Sequence, residues 1–230
     1  MEREVDILEI SDGKKYGIND VVKIACNDCE GCSKCCKNMD KLITLDPYDI
    51  HMLLSGLKDS TFDNILNNKI EFMVDKGVII PALKMNDNTG NCIFLNSDGR
   101  CSIHGFRPGI CRLFPMGRLY ENGTFSYFLQ KDECDYKIKT KVKLKKWLDI
   151  KEISRYEKFI TDWHYFIKDI QAYIQSRIDE SSDVESKKNS EEEISQINSV
   201  IIKIFYMTPY ELDFYNDFYL RLNKVKDLME

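Results

Sequence analysis

Five cysteines fall within eleven residues, Cys26, Cys29, Cys32, Cys35 and Cys36, in the pattern CxxCxxCxxCC. A two-residue spacer lets the intervening turn return successive side chains to one side, so that their sulfurs converge on one ion or one face of a cluster. Thiolates crowded this closely repel one another, and a bound cation is the natural means of holding them together. Four more cysteines follow. Cys92 and Cys101 flank the loop Asn96, Ser97, Asp98, Gly99, Cys111 comes ten residues later, and Cys134 closes the set. Tetrahedral sites and cubane clusters each take about four protein ligands, so nine thiols suit two sites with one left over, or one cluster with several spare thiols. Either arrangement requires cysteine-bearing segments 56 residues apart, Cys36 and Cys92, to meet. Structural zinc sites commonly draw on two separate knuckles, whereas this chain offers a continuous triple repeat with an adjacent pair. That continuity favours an iron-sulfur cluster, while thiolate chemistry alone also accepts zinc.

Other polar residues gather beside the thiols. Arg100, Arg107, Arg112 and Arg118 are half of the eight arginines and lie within nineteen residues. Guanidinium groups there offset thiolate charge by donating to sulfur and loop carbonyls, or bind the carboxylate or phosphate of a cofactor, substrate or partner. Arg107 and Arg112, in the segment RPxxCR, are the candidates for the second role, and Pro108 fixes the approach to Cys111. His104 stands three residues after Cys101, within reach of the same metal; with nine thiols at hand its expected part is a hydrogen bond or packing. His51 and His164 sit on helical segments and carry no expected chemistry. No catalytic residue is assigned. The chain has no glycine-rich phosphate loop, no GxSxG elbow and no CxxxCxxC motif of radical S-adenosylmethionine enzymes.

The elements that must position these residues divide the chain in two. All nine cysteines lie between Cys26 and Cys134 and all eleven glycines at or before Gly123, while residues 124–230 hold no glycine and one proline, Pro209. The expected organisation is therefore a cysteine-rich module over 1–136 followed by a helical bundle over 137–230, α+β overall. Asp46 and Pro47 predict an N-cap and first helical position for a helix over Tyr48 to Leu57 that ends at Gly56. Ser60 to Lys76, stopped by Gly77, predicts a second helix from the three- and four-residue spacing of Phe62, Ile65, Leu66, Ile70, Met73 and Val74. Gly117 to Tyr120 and Thr124 to Gln130 predict a hairpin turned by Glu121, Asn122 and Gly123. In the tail, apolar residues from Leu144 to Ile174 repeat at helical spacing, as one long helix or two. Lys137 to Lys146 fits either an edge strand or a frayed helical start. Glu180 to Glu193 reads as a solvated connection, and Ile194 to Phe205 and Tyr210 to Leu228 as two more helices. The tail aromatics Trp147, Trp163, Phe166, Phe205, Phe214 and Phe218 fall on the stripe expected to be core.

The segment Cys29 to Cys36, then Ile43, Thr44, Leu45, Asp46, then CIFLNSDGRCSIHGFRPGICRLFP from Cys92 to Pro115, resembles the YkgJ-type cysteine-cluster family of zinc- or iron-chelating domains. The resemblance covers roughly residues 26–135, and Cys26 is additional to its CxxCxxCC core. It implies a small metal module, most often expected to carry an iron-sulfur cluster such as 4Fe-4S. More weakly, the chain is similar to flagellin lysine methylases, which pair a related cysteine cluster with methyl transfer.

Composition bounds the alternatives. The chain has 230 residues, 43% hydrophobic and 31% charged, with a formal net charge of -5. That balance excludes a disordered chain and makes nucleic acid an unexpected partner, since phosphate binding wants a cationic face. No apolar run approaches a membrane span, and MEREVDILEISDG places charges where a secretory leader would be apolar, so a cytoplasmic protein is expected. The odd cysteine count argues against a disulfide scaffold. The functional expectation is a metal-binding protein with an iron-sulfur cluster for electron transfer or cluster-dependent chemistry. A cluster-dependent modifying enzyme of methylase type and a structural zinc module that docks a protein partner are the alternatives.

Overall fold

The computed structural model describes residues 7–25, 32–39, 43–58, 61–66, 68–134, 139–211 and 213–227. In chain order the elements are α1 (Ile7–Ile10), β1 (Val21–Ala25), α2 (Pro47–Gly56), α3 (Phe62–Ile65), β2 (Ile70–Asp75), β3 (Val78–Leu83), α4 (Gly109–Leu113), β4 (Met116–Glu121), β5 (Thr124–Leu129), β6 (Thr140–Lys143), α5 (Leu144–Leu148), α6 (Ile153–Glu180), α7 (Val184–Ile201) and α8 (Phe214–Asp227). The strands form three antiparallel pairs, β1 with β6, β2 with β3 and β4 with β5. The molecule is therefore α+β, with small hairpins in the cysteine-rich part and long helices behind them.

Local chemistry explains the elements that form as expected. The α2 helix opens on a capping box in which the Asp46 carboxylate accepts the Asp49 amide at 2.8 Å and the Asp49 carboxylate accepts the Asp46 amide at 3.2 Å, with Pro47 at the first helical position. The β4–β5 hairpin turns at Asn122 and Gly123, both at positive φ (51° and 77°), the type I′ geometry that matches strand twist.

Two expectations are corrected. Among the described residues of the segment Ser60 to Lys76, only Phe62–Ile65 is helical; Ile70–Asp75 is strand β2, paired with β3 from Ile70↔Leu83 to Asp75↔Val78. Gly77 does not stop a helix. With Lys76 it makes a two-residue turn at φ 83° and 49°, and the β-branched run Val78, Ile79, Ile80 supplies the returning strand. Likewise Glu180 to Glu193 is not a solvated connection, because α7 begins at Val184. Asp183 and Ser186 form a reciprocal cap there, and Arg177 donates to Glu193 at 2.9 Å, so polar residues clothe the outer face of a helix instead of replacing it. The ambiguous segment Lys137 to Lys146 resolves into β6 followed by α5, and the apolar repeat beyond it into α5 and α6. Between α7 and α8, Ile202–Met207 forms a turn of π-helix whose Ile204 carbonyl, like the Thr208 carbonyl just after it, accepts from Arg221.

Among the described residues one core runs from β1 to α8. It joins Val22 and Ile24 of β1, Leu45, Leu53, Ile103 and Leu113 of the cysteine-rich part, and Phe159, Trp163, Phe205 and Phe218 of the helices. Amides of the long helices clasp the β2–β3 turn: the buried Asn198 accepts the Ile79 amide at 2.7 Å and donates to the Gly77 carbonyl at 2.9 Å, and Gln171 donates to the Asp75 carbonyl at 3.1 Å. Tyr206, in the π-helical turn, donates to the Leu45 carbonyl at 3.1 Å, directly before α2. No helix among the described residues is long and apolar enough to cross a membrane.

Candidate metal centre

Three stretches of backbone bring thiols to one cavity. The first is the stretch 32–36, with Cys32 ahead of a 3-10 turn over Lys34–Cys36 that carries Cys35 and Cys36. The second arrives 56 residues later in sequence and docks by backbone pairing: the Cys92 amide donates to the Cys36 carbonyl at 2.7 Å, and the Asn38 amide to the Gly90 carbonyl at 2.8 Å. Asn86 shapes this approach by accepting the Asn88 and Thr89 amides, and Gly90 at φ 66° completes the bend. The chain then reverses through the loop Asn96 to Arg100, closed by the Asn96 side chain on the Asp98 and Arg100 amides, which returns Cys101 opposite Leu95. The third stretch is α4, which carries Cys111.

The cavity measures about 160 Å³ and is lined by Cys32, Cys35, Cys36, Cys92, Cys101 and Cys111. A single water needs roughly 10–15 Å³ on this measure, so the space holds a group of many atoms. Apolar side chains, among them Met39, Ile43, Leu83, Met85 and Phe114, form the rest of the wall. Among the described residues no three Cys, His, Asp or Glu side chains converge closely enough to hold one ion. The thiols ring a volume.

Their electrostatics follow from burial and mutual proximity. Burial pushes the Cys92 and Cys101 thiols up, and Cys111 is held well above the usual range by burial and then by Cys92 and Asp49. Cys36 donates to Cys35; that bond raises Cys36 and lowers Cys35 to about 7, with the Arg107 charge contributing to the latter. Arg107 lines the cavity, contacts the His104 imidazole through one terminal nitrogen, and has a buried Nε with no hydrogen-bond partner. His104 also lines the wall.

The remaining candidates lie elsewhere. Arg112 faces backbone: it donates to the carbonyls of Arg107 at 3.1 Å, Gly105 and Asp149, which braces the turn before α4. Cys134 is half-buried beside the cavity residue Glu133 but is not itself in the wall, and its carbonyl accepts Lys139 at 2.7 Å. Cys26 and Cys29 lie outside the described residues. His51 packs in an aromatic group with Tyr210 and Phe214, and His164 stacks on Tyr120 with ring centroids 3.6 Å apart.

Sequence reasoning missed Asp49. Its carboxylate leaves α2 to accept the Gly109 amide at 2.7 Å, at the start of the helix that carries Cys111. The spacing Asp46, Asp49 announces a capping box, but a partner sixty residues away has no local signal.

The donor set fits a thiophilic metal or cluster: several thiols, an unpartnered buried guanidinium nitrogen and an apolar shell around one cavity. No curated protein and no solved structure matches the chain. Residues 28–141 match the CxxCxxCC family model, described as "Putative zinc- or iron-chelating domain", a span that includes Cys29 and leaves Cys26 just ahead of it. Over those residues, half its length to within one residue, the chain belongs to the CxxCxxCC family of the cysteine-cluster type that its sequence resembles.

Proposed function

We propose that this protein binds an iron-sulfur cluster in the cavity between the three cysteine-bearing stretches and uses it for electron transfer or cluster-dependent chemistry. The carrying observation is that six thiols, Cys32, Cys35, Cys36, Cys92, Cys101 and Cys111, more than the four that one zinc ion takes, line one cavity of about 160 Å³. Such a distribution suits a polynuclear centre, whose ligands are spread over several metal atoms, better than a lone zinc ion. Four of the six suffice for a cubane. Cys26, Cys29 and Cys134 complete the nine thiols of the chain, Cys134 standing outside the cavity wall.

When bound, the cluster supplies reversible one-electron chemistry. The chain's own residues do the rest. The thiols give up their protons to become ligands, so that the charge of Cys92, Cys101 and Cys111, costly when bare in this buried setting, is compensated on binding. Arg107, in the cavity wall, would offset thiolate charge. The apolar wall of Met39, Ile43, Leu83, Met85 and Phe114 limits water, which favours the less charged oxidation state and protects the thiolates. Arg112 holds the loop from Gly105 to Pro108 in place through its carbonyl bonds. The helical part over 137–230 buttresses the module through Asn198, Gln171 and Tyr206.

The test is the iron, zinc and acid-labile sulfide content of protein purified and kept without oxygen, together with its visible spectrum. About four irons and four sulfides per chain with broad visible absorption are expected. Stoichiometric zinc, no sulfide and no colour would overturn the cluster and leave a structural zinc module.

A further inference from the structure

Asp49 is buried, 4% exposed. Burying a carboxylate is costly unless its oxygens are satisfied, so where those oxygens point shows what the residue is for. One accepts the Asp46 amide within α2. The other accepts the Gly109 amide at 2.7 Å, across sixty residues of sequence.

Gly109 opens α4, and α4 has no side-chain cap of its own: the residue before it is Pro108, which offers none. The Asp49 carboxylate thus satisfies, from another element, one of the first-turn amides that a helix leaves without an intrahelical partner. Gly109 is confined on its other side as well. A Cβ there would lie 2.2 Å from the Tyr156 hydroxyl, and Tyr156 itself accepts Arg118 at 3.1 Å. The first turn of α4 is therefore gripped between α2 and α6, and two residues farther on Cys111 enters the cavity wall. The grip has further support, since the Leu45 carbonyl just before α2 accepts Tyr206 from the helical tail.

We propose that Asp49 is a positioning residue for the metal centre: by anchoring the first turn of α4 it fixes Cys111 against the other cavity thiols. The selection of Cys111 as a ligand rests on the metal-centre reading; the anchoring of α4 does not.

The experiment uses the full-length protein. Metal-free, reduced protein is pulse-alkylated and modification at each cysteine followed by peptide mass spectrometry; in parallel, zinc-loaded protein is challenged with a chelator. Asp49→Ala is expected to speed alkylation of Cys111 selectively over Cys92, and to loosen zinc by roughly 10- to 100-fold, the usual cost of removing a residue that orients a metal ligand. Asp49→Asn, which keeps an oxygen acceptor for Gly109, restores both readouts toward wild type. Asp46→Ala removes the other arm of the capping box without touching α4 and leaves the Cys111 to Cys92 ratio unchanged. Equal acceleration at Cys92 and Cys111, an unchanged ratio in Asp49→Ala, or a shift in Asp46→Ala as large as in Asp49→Ala overturns the proposal. If Asp49→Ala does not fold, Asp49→Glu carries the test: it keeps charge and cap but displaces the acceptor by a methylene, and a wild-type Cys111 ratio would then count against anchoring. Wild-type protein that binds neither iron nor zinc refutes the metal-centre reading alone, because the alkylation ratio still reports on α4.

Discussion

At the scale of single residues, the thiols divide by where the backbone carries them. Cys32, Cys35, Cys36, Cys92, Cys101 and Cys111 face the cavity and Cys134 does not. Serine at Cys35 or Cys111 is expected to abolish or sharply reduce bound metal, whereas Cys134→Ser keeps wild-type stoichiometry; elemental analysis of each variant checks this, and a metal-free Cys134→Ser protein would contradict the division. The pattern of buried thiols also sets the sign of the pH dependence. Cys92, Cys101 and Cys111 are raised above the ordinary thiol range, so near neutral pH they hold their protons, and metal must displace them. Apparent affinity therefore falls as pH falls, about tenfold per pH unit for each proton released. Chelator competition at several pH values reads the slope, and a flat profile across the neutral range would show that the thiols are already ionised before metal arrives.

At the scale of elements, two sites report how the site is held. Asn198 satisfies the Ile79 amide and the Gly77 carbonyl at the β2–β3 turn, so Asn198→Ala leaves buried backbone groups unpaired and is expected to cost about 1–3 kcal/mol in denaturant unfolding. Gly109→Ala drives a methyl into the Tyr156 hydroxyl and is expected to cost about 1–3 kcal/mol, with accelerated metal loss because α4 is displaced. A fully stable Gly109→Ala protein would mean that α4 yields without consequence. These elements also show what is legible in a sequence. The start of α2 is written within four residues, Asp46 to Asp49, and the β4–β5 turn within two, so both are readable from local chemistry. The β2–β3 hairpin is not, because Lys76 and Gly77 look the same after a helix as between strands, and apolar residues at 62, 65, 66, 70, 73 and 74 satisfy a helical period. Only pairing with Val78–Leu83 decides it. The start of α7 is hidden by its own polarity. In the metal centre the cysteines announce themselves by type and spacing, while the apposition of Cys36 with Cys92 and the reach of Asp49 to Gly109 depend on backbone contacts that no short window contains.

At the scale of the whole molecule, the cysteine-bearing stretches and the long helices share one core, and Tyr206, Asn198 and Gln171 tie them further. Metal that binds only the folded chain stabilises it by mass action, about 4 kcal/mol at a thousandfold excess over the dissociation constant. Removing it with chelator is expected to lower the melting temperature of the helices together with that of the module, in one transition seen equally by far-ultraviolet circular dichroism, which reports the helices, and by the reactivity of the cavity thiols, which reports the module. Two separated transitions would instead describe a tail that folds independently. The pairing of β1 with β6 has a consequence for how the protein is made. Residues Val21–Ala25 find their partner only at Thr140–Lys143, and the intervening chain contains every described cysteine. At about 5–20 residues per second of synthesis, the strand that closes this loop leaves the ribosome several seconds after its partner, and Tyr206 follows later still. During nascent growth the thiols are thus displayed on an unclosed chain, open to a metal donor or to oxidation before their cavity exists.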